Sequence, residues 1–511
     1  VIPPGILDFF PLERIRPVQK QALLEVFTAF QMGKKVVILE APPGVGKSSL
    51  AVALARYYRS AYILTLTKML QAQYVESFSE IQELKGRSNF ACARLEDIAG
   101  SCEAGGDRGL CQPGGCAYRL AKAEAVLADV TVCNYMSYLY SVGTTSFNSA
   151  ALLDPEEVTE DPTRWIRPLL ICDEAHVVEE VALEHASVVI DLRKIPLDLD
   201  FPLPHPENVE GCFAWLELLS RALEAPGEGL SAKDRKTLRN LRGKVYFALE
   251  HRDVERWISE PLSEGRQGFC LKPLTVRSFA ARLFQFGERV LLMSATILDA
   301  EKMAESLGIT DYAYVSVPCP FPVENRSVVV SGLNMTKAHR DRSWPRMVDQ
   351  IELILENHAA EKGLILTPSN EMLEYILKTL PPGLASRLVL ARGRNRMERY
   401  QHHLDSKLPT VLAASGFWEG ADLKNDYSRF QIIPSIPRPF WSGQVAARGK
   451  IDPLWYRLQG CMQLIQGLGR SIRSETDAAV SYVFDVELRR EAERYDSLLP
   501  QWFRDALVMA S

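Results

Sequence analysis

"KKVVILEAPPGVGKSSLAVALARYY", residues 34–58, carries the reading of the fold. A β-branched apolar run leads into a Gly/Pro turn, and an amphipathic pattern of helical period follows. Ala41 to Ser48 match the Walker A phosphate-loop pattern, with Ala in place of its first Gly. The chemistry explains the residue types. Backbone N–H groups around Gly44 and Gly46 can wrap phosphate because Gly permits the required angles and close approach. Lys47 reaches toward the β- and γ-phosphates, Ser48 holds Mg²⁺, and the following helix points its positive end at the anion. Pro43, Gly44, Val45, Gly46, Lys47, Ser48 and Ser49 are therefore assigned to ATP binding.

A second motif lies downstream. In "RPLLICDEAHVVEE", residues 167–180, an apolar strand runs straight into Asp173, Glu174, Ala175 and His176. A carboxylate at a strand end can hold Mg²⁺, and its neighbour can orient or deprotonate an attacking water. Asp173 is assigned to the metal and Glu174 to the water.

The whole chain sets bounds on these readings. Its 511 residues exceed one core and predict three or four domains. A formal net charge of −5 means that any nucleic acid must be held by a local basic groove. No apolar run approaches the ~20 residues of a membrane span, and residues 1–17 lack the pattern of a signal peptide. A cytoplasmic, nucleoid-associated protein is expected, or a nuclear one in a eukaryote. Of ten cysteines, Cys133, Cys172, Cys212, Cys270, Cys319 and Cys461 are scattered and read as buried, reduced thiols. The other four cluster in residues 92–116.

D-E-A-H with Walker A resembles the superfamily 2 helicases, and further matches follow in the family's order. "RPVQ" (16–19) resembles the Q motif, which adds Arg16 and Gln19 to the ATP site, with Gln19 on the adenine. "LTLTKMLQAQY" (64–74) resembles motif Ia, "LMSAT" (292–296) motif III, and "LILTPSNEML" (364–373) motif IV. "ASGFWEGADL" (414–423) resembles motif V, implying Glu419, Gly420 and Asp422 at the nucleotide. "QGLGRSIR" (466–473) resembles motif VI, implying catalytic roles for Gln466, Arg470 and Arg473. Three residues apart on a helix, the two arginines would share a face. "KGRSNFAC" (85–92), "CAY" (116–118), "NYMSYL" (134–139) and the "FWEG" of motif V narrow the resemblance to the XPD/DinG branch.

That branch inserts a four-cysteine domain between motifs Ia and II, where this cluster lies. Cys92, Cys102, Cys111 and Cys116 are spaced C-x₉-C-x₈-C-x₄-C. Spacing alone leaves zinc and iron–sulfur open; the position within the resemblance implies a [4Fe–4S] cluster.

The expected fold class is α/β, with two RecA-like motor domains and two insertions in the first. Motor domain 1 is expected at 1–84, 129–184 and 271–324, the Fe–S domain at 85–128, a helical Arch-like insertion at 185–270, and motor domain 2 at 325–511. Strands are expected near 35–40, 61–67, 129–134, 169–172 and 290–294 in the first sheet, and near 363–367, 411–414, 430–434 and 479–484 in the second. The implied function is an ATP- and Mg²⁺-dependent DNA helicase moving 5′→3′ on single-stranded or forked DNA, in repair, replication or a mobile-element setting. A related reading is a translocase that resolves R-loops, with RNA–DNA hybrids as partners, or protein–DNA complexes. From another class comes an Fe–S redox-sensing, nucleotide-gated DNA-binding module. Single strands are held by phosphate contacts and base stacking, and Thr65, Thr67, Tyr118 and Trp418 are the candidates. No protein partner is indicated.

Overall fold

The computed structural model describes residues 5–93, 102, 116–142, 166–225, 229–263, 265–416, 423, 425–472, 476–495 and 498–509. The first sheet is entered by β1 (Val36–Glu40), β2 (Ala61–Thr65), β3 (Ile81–Leu84), β4 (Val130–Asn134) and β5 (Arg167–Asp173). The chain then departs for β6 (Val188–Asp191), β7 (Trp257–Pro261) and β8 (Gly268–Pro273), which form a separate sheet. It returns as β9 (Gly287–Ser294) and β10 (Tyr312–Ser316). The first sheet has the order β10-β1-β9-β5-β2-β4-β3, and all its pairings are parallel. β1 and β2 are buried along their whole length, as parallel strands covered on both faces must be.

The second sheet is built from β11 (Val328–Leu333), β12 (Gly363–Thr367), β13 (Leu388–Leu390), β14 (Val411–Ser415), β15 (Phe430–Ile433), β16 (Val480–Asp485) and β17 (Leu507–Met509). It is also fully parallel, in the order β13-β14-β12-β15-β16-β11-β17. The expected strands are present in both sheets. Reading the sequence missed β3, β10, β11, β13 and β17, of which four are edge strands and the fifth, β11, lies beside one. Such strands are partly exposed and short, so their pattern is weak.

Helices used below are α1 (Pro17–Gln31), α2 (Lys47–Tyr58), α3 (Lys68–Ser77), α4 (Ala117–Leu127), α5 (Val178–Ala186), α6 (Val209–Glu224), α7 (Ala232–Glu250) and α8 (Pro453–Leu468). The insertion expected to be helical does contain α6 and α7, but it is built on the antiparallel sheet β6-β8-β7. Trp215 of α6 packs edge-on against Phe201 at 5.3 Å and Phe269 of β8 at 5.6 Å. Helical periodicity drew attention to α6 and α7, while β6 is separated from its partner β8 by both helices and gave no local signal of that pairing. The same apolar cluster runs from Trp215 and Phe269 to Leu170 and Leu292 of the first sheet. The insertion therefore shares a core with the sheet that it interrupts.

Where the cysteine segment rejoins the sheet, α4 is clamped by Arg167. Its Nη1 donates to Ala61 O at 2.6 Å and Asp129 O at 3.1 Å, and its Nη2 to Ala125 O at 3.3 Å and Val126 O at 3.2 Å. The guanidinium lies 3.9 Å from the centre of the Tyr62 ring. The residue is buried, so its removal would leave several carbonyls without a donor. Arg167→Ala should cost about 3 kcal/mol in the first unfolding transition, and Lys should restore less than half of that, because a point charge cannot satisfy four acceptors. Denaturant unfolding of the two variants checks this.

Candidate nucleotide site between the two sheets

Three motifs far apart in sequence end on adjacent strands. The phosphate loop follows β1, the DEAH residues close and follow β5, and the SAT residues close β9, which lies between the other two. The register sets Glu40 opposite Ser294 and Asp173 opposite Met293. Ligand sites in open parallel sheets form beyond the carboxyl ends of such strands.

The loop itself is shaped by two left-handed glycines, Gly44 at φ 76° and Gly46 at φ 91°. A Cβ on Gly46 would fall 2.5 Å from Gln19 Nε2. Gln19 explains that crowding. Its Nε2 donates to Val45 O at 2.9 Å and its Oε1 accepts from Arg16 N at 2.9 Å, while Arg16 Nη2 donates to Gly44 O at 3.1 Å. Gln19 is fully buried. Gln19, expected on the adenine, and Arg16, expected at the ATP, both brace the phosphate loop in this structure, at the start of α1. Lys47 opens α2 and its Nζ donates to Ala41 O at 3.3 Å. Ser49, at the start of the same helix, is buried and its N–H donates to Gly46 O at 3.0 Å.

Ser48 and Asp173 meet at one hydroxyl. Tyr74 Oη donates to Asp173 Oδ2 at 2.9 Å and also hydrogen bonds with the Ser48 side chain. Asp173 Oδ1 accepts from Glu174 N at 3.0 Å, and the Asp173 carbonyl accepts from Tyr135 Oη at 2.8 Å. Burial first, and then the neighbouring Glu174, push the Asp173 carboxyl up to about 6, against the pull of Lys47 and Tyr74. A buried carboxyl raised in this way is suited to a divalent cation, which would favour its charged form. The oxygen donors of Ser48 and Asp173 therefore fit Mg²⁺. Glu174 adopts a left-handed backbone, φ 53°, that turns the chain from strand to helix. His176 Nδ1 and Ser294 Oγ share a hydrogen bond of 2.9 Å, which joins the DEAH and SAT motifs.

The second sheet contributes α8 and the turn after it. Gln466 Nε2 donates to Thr296 Oγ1 at 2.5 Å. A Cβ on Gly469 would fall 2.6 Å from Pro43 Cγ, so motif VI abuts the phosphate loop with no room for a side chain. Arg470 is buried, but it lies beyond the last residue of α8, Leu468, in the turn that Gly469 begins. The expectation of two arginines on one helical face is thus corrected: the helix ends at the close contact with Pro43. Arg473 lies outside the described residues, as do Trp418, Glu419, Gly420 and Asp422 of motif V. Two ion pairs flank the same interface, Arg448 Nη2 to Glu179 Oε1 of α5 at 2.6 Å and Lys302 Nζ to Asp452 Oδ2 at 3.0 Å. They border a cavity of about 520 Å³ that His176, Arg256 and Trp455 also line. Lys47 and Asp173 do not line it, so it adjoins the phosphate site without being part of it.

Of the residues expected on a nucleic-acid strand, Thr65 is fully buried and its Oγ1 donates to Thr67 O at 3.4 Å. As the last residue of a central strand it faces the core, so it is withdrawn as a contact. Thr67 caps α3 by accepting from Leu70 N at 3.3 Å. Tyr118 is half-buried, edge-on to Phe90 at 5.4 Å and 5.7 Å from the Arg87 guanidinium. Cys102 is buried beside Cys116, with Arg87 Nη2 donating to the Cys102 carbonyl at 3.3 Å. Cys92 is half-buried and Cys111 lies outside the described residues. Among the described residues no three or more Cys, His, Asp or Glu side chains are gathered as a metal site. Cys133, Cys172, Cys212, Cys270 and Cys461 are buried and free, as expected, and Cys319 is free and half-buried. Among the described residues no helix is long and apolar enough to cross a membrane.

Residues 13–196 match the family described as type III restriction enzyme, res subunit, and residues 351–506 match the helicase C-terminal domain family. A probable ATP-dependent helicase of Methanocaldococcus jannaschii is 22% identical over 94% of this chain and 93% of its own length. The chain is an ATP-dependent helicase. The ATP-dependent DNA helicase YoaA of Escherichia coli is 22% identical over 43% of the helicase and 36% of its own length. In fold, the helicase is similar to a solved XPD helicase, with a TM-score of 0.61, 15% identity and coverage of 98% of this chain and 100% of that one. It is also similar to Xpd4 of S. tokodaii, with a TM-score of 0.58, 16% identity and coverage of 97% and 100%.

Tyr74, Tyr135, Ser294 and Thr296 were not singled out as site residues in the sequence, although Tyr74 ends the motif Ia stretch and the other three fall in quoted motifs. Their roles depend on partners 99, 38, 118 and 170 residues away. Gly46→Ala should weaken ATP binding by about tenfold or more, since both the φ of 91° and the Gln19 amide oppose a Cβ. Titration of a fluorescent ATP analogue against both proteins measures it.

Proposed function

We propose that this ATP-dependent helicase translocates 5′→3′ on single-stranded DNA and unwinds forked duplexes, in repair, replication or a mobile-element setting. The observation that carries the reading is the seating of motif VI on the phosphate loop, Gly469 against Pro43 and Gln466 on Thr296. A nucleotide bound at that junction would touch both halves, so its hydrolysis can change their spacing. The E. coli relative, described as a DNA helicase, supports DNA as the substrate.

In this reading Lys47 offsets phosphate charge from one side, and Arg470 with Arg473 from the other. Charge neutralisation of this kind, more than covalent chemistry, accelerates phosphoryl transfer. Glu174 orients the attacking water and accepts its proton, and Asp173 and Ser48 would hold Mg²⁺. That ion supplies charge compensation for the β- and γ-phosphate oxygens when bound. Glu419, Gly420 and Asp422 complete the nucleotide site by resemblance, and Thr67, Tyr118 and Trp418 remain strand candidates.

We further assign a [4Fe–4S] cluster to Cys92, Cys102, Cys111 and Cys116. Two of these thiols are already neighbours, and four soft sulfur donors suit iron. The cluster would staple the segment between β3 and α4.

Glu174→Gln should retain ATP and strand binding while turnover falls by about a hundredfold or more, the usual scale for losing a general base. Strand displacement on 5′-tailed and 3′-tailed duplexes in parallel tests substrate and direction together. Unwinding of the 3′-tailed substrate alone would reverse the polarity, and no unwinding of either would remove the helicase assignment. Protein isolated without oxygen should be brown with about four irons per chain, and Cys102→Ser should bleach it; zinc in place of iron would overturn the cluster.

A further inference from the structure

Glu40 is a buried acidic residue that the hydrolytic chemistry above does not use. It is the last residue of β1, immediately before the phosphate loop, and is 4% exposed. Its Oε1 accepts from Ile297 N at 2.7 Å and Leu298 N at 3.1 Å, and its Oε2 accepts from Tyr314 Oη at 2.7 Å. The side chain thus reaches across from the phosphate-loop strand to hold the loop after motif III by its backbone. Burying a carboxyl group is costly unless its oxygens are satisfied, and here the partners are specific.

What it holds is an unusual turn. Leu298 has φ 60°, a left-handed backbone that a leucine rarely adopts. That turn sends the Leu298 side chain out of the first unit. It is buried in the apolar cluster of the second, together with Leu458, Met462 and Ile465 of α8. Two residues earlier, Thr296 accepts from Gln466 of the same helix. The three-residue loop therefore grips α8 twice, once by a hydrogen bond and once by a buried leucine, and Glu40 sets its shape.

We propose that Glu40 is a positioning residue that couples the phosphate loop to the second motor unit, by holding Leu298 in the left-handed turn that inserts it into that unit's core. A shift of the phosphate loop at the end of β1 moves Glu40, and through two backbone N–H groups it moves Leu298 and α8. This inference rests on the reading of the chain as a strand-stimulated motor. Glu40 touches neither phosphate nor water in this scheme, so its effect appears in the coupling of the units and not in the chemical step.

The test compares wild type, Glu40→Gln, Glu40→Ala and Leu298→Gly for ATP turnover with and without single-stranded DNA, and for thermal stability. Glu40→Gln should behave as wild type, because its amide oxygen accepts from both N–H groups and its nitrogen can donate to Tyr314. Glu40→Ala and Leu298→Gly should keep strand-free turnover and KM for ATP, and lose about tenfold in strand-stimulated kcat, within the range for residues that carry coupling. Should Glu40→Ala fail to fold, Leu298→Gly decides, since glycine accepts φ 60° and keeps the N–H that Glu40 holds. Wild-type stimulation in Leu298→Gly, or an equal loss with and without strand, would overturn the proposal. Absence of stimulation in the wild type itself would instead remove the motor reading, and this inference with it.

Discussion

The parallel register of β1, β9 and β5 is the constraint on which the site depends. β9 closes the gap between two strands that are separated by more than a hundred residues, and it returns from an insertion to do so. Its pairing with β1 brings Ser294 beside Glu40, and its pairing with β5 brings Met293 beside Asp173. Sliding a parallel strand by one residue would reverse which side chains face each layer. The burial of the last five residues of each of these strands makes such a slip expensive, so the register is held by the hydrophobic core and not by the polar residues at its end. The polar contacts, Tyr74 to Asp173 and His176 to Ser294, can then be formed at fixed distances with little further loss of freedom.

Contact between the two units has a different character. Among the described residues it includes a few specific junctions: Gly469 on Pro43, Gln466 on Thr296, Leu298 in the α8 cluster, and the Arg448–Glu179 and Lys302–Asp452 ion pairs. Arg448 and Glu179 are nearly buried, and breaking such a pair by removing one partner is far more costly than the pair's net worth. The Lys302–Asp452 pair is more exposed and contributes little. An interface held by separable polar and apolar points can change its spacing without unfolding either sheet. That property is what a motor driven by hydrolysis requires.

The insertion between β5 and β9 is not an appendage. Its helices and antiparallel sheet share an apolar cluster with the first sheet, and Gln444 of the second unit donates from its N–H to Glu260 Oε1 of β7 at 2.8 Å. The insertion therefore contacts both units directly. Arg387 donates to four backbone carbonyls of its own unit, at Pro409, Leu355, His358 and Glu361. Its charge serves local structure.

The phosphate loop, the DEAH strand and the motif order were legible in the sequence because each is local. A β-branched run, a glycine at a left-handed position and a lysine opening a helix are set by neighbours a few residues away, and the central strands of both sheets carry the unbroken apolar pattern of two-sided burial. The peripheral strands, the sheet inside the insertion and the end of α8 before Arg470 were not legible, because each is decided by a partner distant in the chain. Gly469 follows the last residue of α8 where Pro43 leaves no room for a Cβ, and Thr65 is buried at the end of a strand that β4 and β5 flank. Likewise, nothing near Glu40 in sequence marks it, since the groups it holds, at 297, 298 and 314, come beside it only through the pairing of β9 and β10 with β1. Local sequence determined which chemistry the chain could perform, and the long-range strand register decided which residues hold that chemistry together, because hydrogen bonds between distant side chains have no local signature.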